Sequence, residues 1–141
     1  YILETATFDA TPAVVYRAFV DAKQHAAFTR SRATNDGKVA GPFSAYDGYI
    51  VGFNLELEKG VRLVQAWRAN DWKEGEWSIA RFDFTAAGTG GTRVTLAQSG
   101  VPKEHVKRIT AGWTEFYWTP LAAWLKAKKS TPARSKAKRK R

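Results

Sequence analysis

The sequence predicts an α+β domain in which a curved antiparallel sheet wraps around a long C-terminal helix, with two short helices after the first strand. Three observations carry this expectation. Apolar residues alternate with a period of two through four runs between residues 49 and 98; they recur at spacings of three and four from about 104 to 126; and 141 residues without cysteine suit one self-sufficient hydrophobic core. A sheet with one apolar face needs a cover, and the last helix is the one element large enough to supply it.

The elements follow in order. Residues 2 to 8, Ile2-Leu3-Glu4-Thr5-Ala6-Thr7-Phe8, are β-branched and aromatic enough for a first strand. Thr11-Pro12 opens a helix, with a hydroxyl to cap free amides and a first-turn residue whose missing N–H costs nothing there. Val15, Ala18, Phe19 and Val20 then repeat at helical spacing, and Asp21 reads as the cap of a second short helix through Phe28. Asn35-Asp36-Gly37 and Asp47-Gly48 mark turns around short extended pieces.

From 49 to 57 the odd positions Tyr49, Val51, Phe53, Leu55 and Leu57 are apolar, which predicts a half-buried strand with that face inward. Runs 61–68, 77–85 and 92–98 place Val61, Leu63 and Trp67, then Ala80, Phe82 and Phe84, then Val94 and Leu96 on one face. The closing helix carries Val106, Ile109, Trp113, Phe116 or Tyr117, Leu121 and Trp124, with a kink expected near Pro120.

Charge divides the chain. The net charge is +10, yet eight basic residues and no acid lie between Lys128 and Arg141, which leaves +2 on residues 1 to 127. The expected organisation is a folded body over 1–127 and a disordered basic tail over 128–141, which has no large apolar residue to offset the entropy of ordering. No aromatic interleaves the tail, so specific nucleic-acid readout is not expected. The tail fits a solvated extension, a nuclear-localisation signal, a nonspecific and salt-dependent nucleic-acid patch, or a polybasic segment that visits anionic membrane. No run of apolar residues is long enough for a membrane span; the expected location is cytoplasmic, with a nuclear share through the tail. The chain opens at Tyr1 and contains no methionine, which fits either an initiator that was processed away or a domain cut from a longer reading frame.

Several motifs fall in a distinctive order: Thr11-Pro12 with Val15-Tyr16-Arg17-Ala18-Phe19; Ala27-Phe28-Thr29; Gly41-Pro42-Phe43 leading into Asp47-Gly48-Tyr49-Ile50-Val51-Gly52; Trp67-Arg68 with Trp72 and Gly75; Gly91-Thr92; Gly100-Val101-Pro102; and Gly112-Trp113 with Tyr117-Trp118. This set, spanning about 1 to 126, resembles the C-terminal domain of the activator of heat shock protein 90 ATPase family, within the helix-grip (START-like, SRPBCC) superfamily. The resemblance implies a co-chaperone that binds heat shock protein 90 and modulates its ATPase cycle in the stress response, without a cofactor. Full activation in the family also uses a separate N-terminal domain, to which nothing in these residues corresponds.

The alternative function is a small apolar-ligand (lipid-like) binding protein, with Phe43, Trp67, Phe82, Trp113 and Tyr117 lining a cavity under the last helix. For the partner surface the candidates are Trp72, Lys73 and Tyr46. Trp72 has two readings, a projecting indole that anchors a partner or one of three tryptophans pinning a hairpin; Trp67 and Trp77 read as core. Catalysis is not expected: His25 and His105 sit in different helices with no acid spaced to complete a triad or a metal set.

Overall fold

The computed structural model describes residues 1–139, with side chains through residue 129. Seven strands, β1 (Ile2–Phe8), β2 (Thr34–Asn35), β3 (Pro42–Ala45), β4 (Ile50–Glu58), β5 (Arg62–Ala69), β6 (Ser78–Ala87) and β7 (Gly91–Ser99), form one curved antiparallel sheet in the order β1-β7-β6-β5-β4-β3-β2. The four longest strands make a meander, and β1 joins it beside β7 with Ile2 opposite Gln98 and Phe8 opposite Thr92. Between β1 and β2 run α1 (Pro12–Val20) and α2 (Ala22–Thr29). Asp21 caps α2 as expected, accepting from the amides of Lys23 and Gln24. Thr11 is the N-cap of α1, but its hydroxyl makes no capping bond, so Pro12 alone carries the start signal.

The C-terminal helix is a composite. A 3-10 turn (Lys103–His105) leads into α3 (Val106–Trp113), a π-turn covers Thr114–Trp118, and α4 runs over Thr119–Arg139, past the expected end near Lys126. The irregularity expected at Pro120 takes the form of this π-turn. Proline has no N–H, so the Phe116 carbonyl loses its usual i+4 donor; the Tyr46 hydroxyl donates to that oxygen instead, at 2.5 Å. The inserted residue also lets Trp113, Tyr117 and Trp118 all reach the sheet, where all three are buried. Lys129 pairs with Asp9 at 2.9 Å and Lys128 lies over the Trp124 ring. The rest of the expected tail lies outside the residues whose side chains are described. No described helix is long and apolar enough to cross a membrane.

One face assignment is corrected. In β4 the even residues Ile50, Gly52 and Asn54 are buried, while Phe53 and Leu55 are each 43% exposed on the outer surface. The neighbouring strands decide this. Gly52 is paired between Phe43 and Trp67, whose rings occupy the inner face; a Cβ at Gly52 would fall 1.8 Å from the Ala66 carbonyl oxygen and 2.7 Å from the Phe43 ring. Asn54, although polar, is satisfied inside: it donates to Asn35 at 2.8 Å and accepts from Gln65 at 3.1 Å. A bulge between Asn54 and Glu56 then turns Leu57 back toward Leu63. Val61, expected inward, is exposed in the β4–β5 turn. The inward sets of β6 and β7, Ala80, Phe82 and Phe84 with Val94 and Leu96, are buried as expected.

Candidate functional site

The inner face of the sheet brings the five expected cavity residues together and then fills the space between them. Trp113 on α3 packs on Trp67 and Phe82, each at 5.5 Å between ring centres, and on Tyr117 at 4.9 Å. A hydrogen-bond chain fixes these rings: Trp113 Nε1 donates to Gln98 at 2.9 Å, Gln98 to Ser78 at 3.0 Å, and Ser78 to the Trp67 carbonyl at 2.7 Å. Phe43, Trp67, Phe82, Trp113 and Tyr117 all line one void, together with His25 and Gln65, but its volume is about 20 Å³. That is room for a single water. The cavity expected among these five residues is therefore occupied by their own side chains.

A larger cavity, about 290 Å³, lies on the other side of Trp67, Trp113 and Tyr117, between α3, the π-turn and the loop joining β3 to β4. Its remaining walls are Tyr46, Tyr49, Ile50, Ile109, Phe116, the bare backbone of Gly112, and Arg108 at the rim. Glycine inside a helix costs about 1 kcal/mol relative to alanine, and the space it leaves here is open: an added Cβ would meet only the Phe116 ring, at 3.6 Å. Tyr46 and Asp47 hold left-handed backbone angles of φ 50° and 55°, and the Tyr46 bond to Phe116 anchors that bent loop to the helix. Burial, with Glu115 adding, pushes the Tyr46 hydroxyl up to about 12. Arg108 donates to the Tyr49 hydroxyl and contacts His105 Nδ1 at 2.8 Å and Asp71 at 3.4 Å; the bond to Tyr49 is the chief reason its guanidinium holds its proton more firmly than usual. Sequence reasoning missed Arg108 and Gly112. Their spacing with Phe116, four residues each, is the signal for one shared helical face.

The expected partner surface is rearranged. Trp72 is 4% exposed, stacked on His105 and packed on Trp67, so the projecting-indole reading is corrected: Trp72 belongs to the core. Its neighbour Lys73 is exposed, and Tyr46 is half-buried with its hydroxyl engaged. The projecting indole is Trp77, 40% exposed rather than core. It directly precedes Ser78, whose side chain points inward, and so lies on the outer face. There Trp77 meets Phe53 at 6.0 Å and lies under the Arg68 guanidinium at 5.7 Å. Arg68 in turn donates to the carbonyls of Trp72, Lys73 and Glu76 and braces the β5–β6 hairpin. With Leu55 and Ile79 also exposed, the outer sheet face carries an apolar patch that no described element covers.

The two histidines stand apart. His25 is buried against Phe28 and Tyr117, its Nδ1 has no partner, and burial lowers its pKa from the usual 6.5 to about 4. No group of three or more His, Asp or Glu side chains that could hold a metal occurs among the described residues.

The family model described as "Activator of Hsp90 ATPase homolog 1-like protein" matches residues 9–126. The chain belongs to this family. The match takes in both the 290 Å³ cavity and the apolar outer patch. Among curated relatives, an "Activator of 90 kDa heat shock protein ATPase homolog" of Dictyostelium discoideum is 34% identical over 75% of this chain and 28% of its own length. A human "Activator of 90 kDa heat shock protein ATPase homolog 1" is 29% identical over 79% of this chain and 33% of its own. The chain thus spans about a third of these relatives. Among solved structures, an HSP90 activator from Plasmodium falciparum superposes with a TM-score of 0.81 at 27% identity, over 88% of this chain and 94% of that one. An Aha1 dimer from Colwellia psychrerythraea, at a TM-score of 0.70 and 14% identity over 82% and 88% of the two chains, shares the fold.

Proposed function

We propose that this domain is a co-chaperone module that docks on a heat shock protein 90 through its outer sheet face and modulates the ATPase cycle. Family membership supports the partner class, since the relatives are named as activators of that ATPase. The observation that carries the choice of surface is the Phe53–Trp77 pair, two half-exposed aromatics in contact on an uncovered sheet face. Isolated exposed apolar residues are ordinary on protein surfaces, but contiguous aromatic patches mark interaction sites, and tryptophan is a favoured anchor there. A module of this kind acts by preferring one conformation of its partner. Its effect on turnover is bounded by the difference in its affinity for the partner's states.

The test is a titration of the domain into a eukaryotic heat shock protein 90 with and without nucleotide, with binding and ATP turnover both recorded. Saturable binding that depends on nucleotide supports the reading. No interaction at tens of micromolar, about −6 kcal/mol or weaker, removes it.

A further inference from the structure

Chaperone docking through the outer face makes no use of the most charged part of the chain. We infer that residues 128–141 bind the phosphate backbone of duplex nucleic acid without regard to base sequence, at the end of the domain away from the docking patch.

Charge sets the class of partner. Eight of these fourteen residues are Lys or Arg and none is acidic, whereas residues 1 to 127 carry a net charge of only +2. A segment of this kind displaces the counterions condensed on a polyanion, and their release supplies its affinity.

Composition and spacing choose among polyanions. An anionic membrane holds a peripheral segment firmly only with a second, apolar signal, either inserted side chains or an acyl chain. Residues 128–141 contain no large apolar residue, and the chain has no cysteine to acylate. Their neutral residues are Ser, Thr, Ala and Pro, so nothing bulky intervenes between the cations and a phosphate chain. Because α4 runs through Arg139, the six cations from Lys128 to Arg139 succeed one another within roughly 17 Å of helix axis, one per about 3 Å. Phosphates along one strand of a duplex recur at about 3.4 Å. No aromatic residue lies among these cations to stack on an unpaired base, which favours a duplex over a single strand. Contacts to phosphate carry no sequence information.

The fold fixes where the segment leaves the body. Lys128 lies over the Trp124 ring, and Lys129 pairs with Asp9 at 2.9 Å. Asp9 follows Phe8, at the end of β1 that pairs with Thr92. The exposed patch of Phe53, Trp77 and Ile79 is at the other end, where Ile79 pairs with Ser99 and Ile2 with Gln98. The length of β1, roughly 20 Å, separates the two, so a duplex and a chaperone would occupy different ends of the domain.

The experiment uses the full chain and the fluorescence anisotropy of two labelled DNA duplexes of about 20 base pairs, one A·T-rich and one G·C-rich. In about 0.1 M salt a Kd on the order of 10 µM is expected for both, equal within about threefold. The slope of log affinity against log salt should be about −6. A variant carrying Lys136→Gln, Lys138→Gln, Arg139→Gln, Lys140→Gln and Arg141→Gln should bind at least about tenfold more weakly, with a slope shallower by about 4. Phosphatidylserine vesicles at equal anionic charge should bind the parent more weakly than either duplex does. No duplex binding at about 100 µM protein, a preference above about tenfold for one duplex, an unchanged slope in the variant, or tighter binding to the vesicles overturns the inference. Chaperone docking is read at Phe53 and Trp77, which the variant retains, so failure here leaves that reading standing.

Discussion

The two faces of the sheet carry similar residues to opposite ends. On the inner face Trp67, Trp72, Phe82 and Trp113 interlock with each other and with the composite helix, and each is at most 4% exposed. On the outer face Phe53, Trp77, Leu55 and Ile79 are equally apolar and remain about 40% exposed. The contrast separates aromatic content from core membership. The inner rings are closed off by the fold, whereas the outer ones, although packed on one another, leave about two fifths of their surface to solvent.

The largest effect belongs to the inner face. Phe82→Ala removes a ring packed on Phe19 and Trp113, and should destabilise the domain by about 3–5 kcal/mol in chemical denaturation. Acid acts on the same face. His25 is neutral in the fold, its pKa lowered from 6.5 to about 4 by burial, so the unfolded chain binds its proton first as pH falls. Stability is therefore complete above pH 6.5 and declines as pH drops toward 4. The loss is about 1.4 kcal/mol for each unit between those values, or about 3 kcal/mol in all. Denaturation curves across that range should show the slope, and His25→Gln should flatten it.

A smaller effect tests why β4 presents its apolar side outward. Asn54→Ala leaves the Gln65 amide and the Asn35 carbonyl oxygen without their buried partner, and should cost about 1–3 kcal/mol. The smallest concerns Lys129→Ala, which breaks a solvent-exposed pair with Asp9 and should change stability by less than about 1 kcal/mol.

These cases also show what the residues alone could reveal. The succession of elements along the chain, the Asp21 cap and the helical repeat of the last segment are local patterns, and each was legible because its signal lies within a few residues, whereas the pairing of β1 with β7 was not. The period of two in β4 was equally legible, but its direction was not. Only the pairing of Gly52 between Phe43 and Trp67, and the satisfaction of Asn54 by Gln65 and Asn35, make glycine and asparagine the inward residues. The choice between the two readings of Trp72, and the outward place of Trp77, were hidden for a related reason. The β5–β6 loop folds back so that Trp72 stacks on His105, a contact between residues 33 positions apart that no local pattern encodes. The five-residue aromatic set meets under the helix around a void of about 20 Å³, yet the larger open volume lies on the far side of it, between the π-turn and the Tyr46 loop.

If the outer face docks the chaperone while the inner face supports the fold, mutation separates the two properties. The most direct measurement is the affinity of the double variant Phe53→Ser, Trp77→Ser for heat shock protein 90, read alongside its unfolding free energy. We expect affinity to fall by at least about tenfold while the domain still unfolds cooperatively, at a cost of about 1–3 kcal/mol for the lost aromatic pair and its partly covered area. Unchanged affinity in a folded double variant would contradict the account.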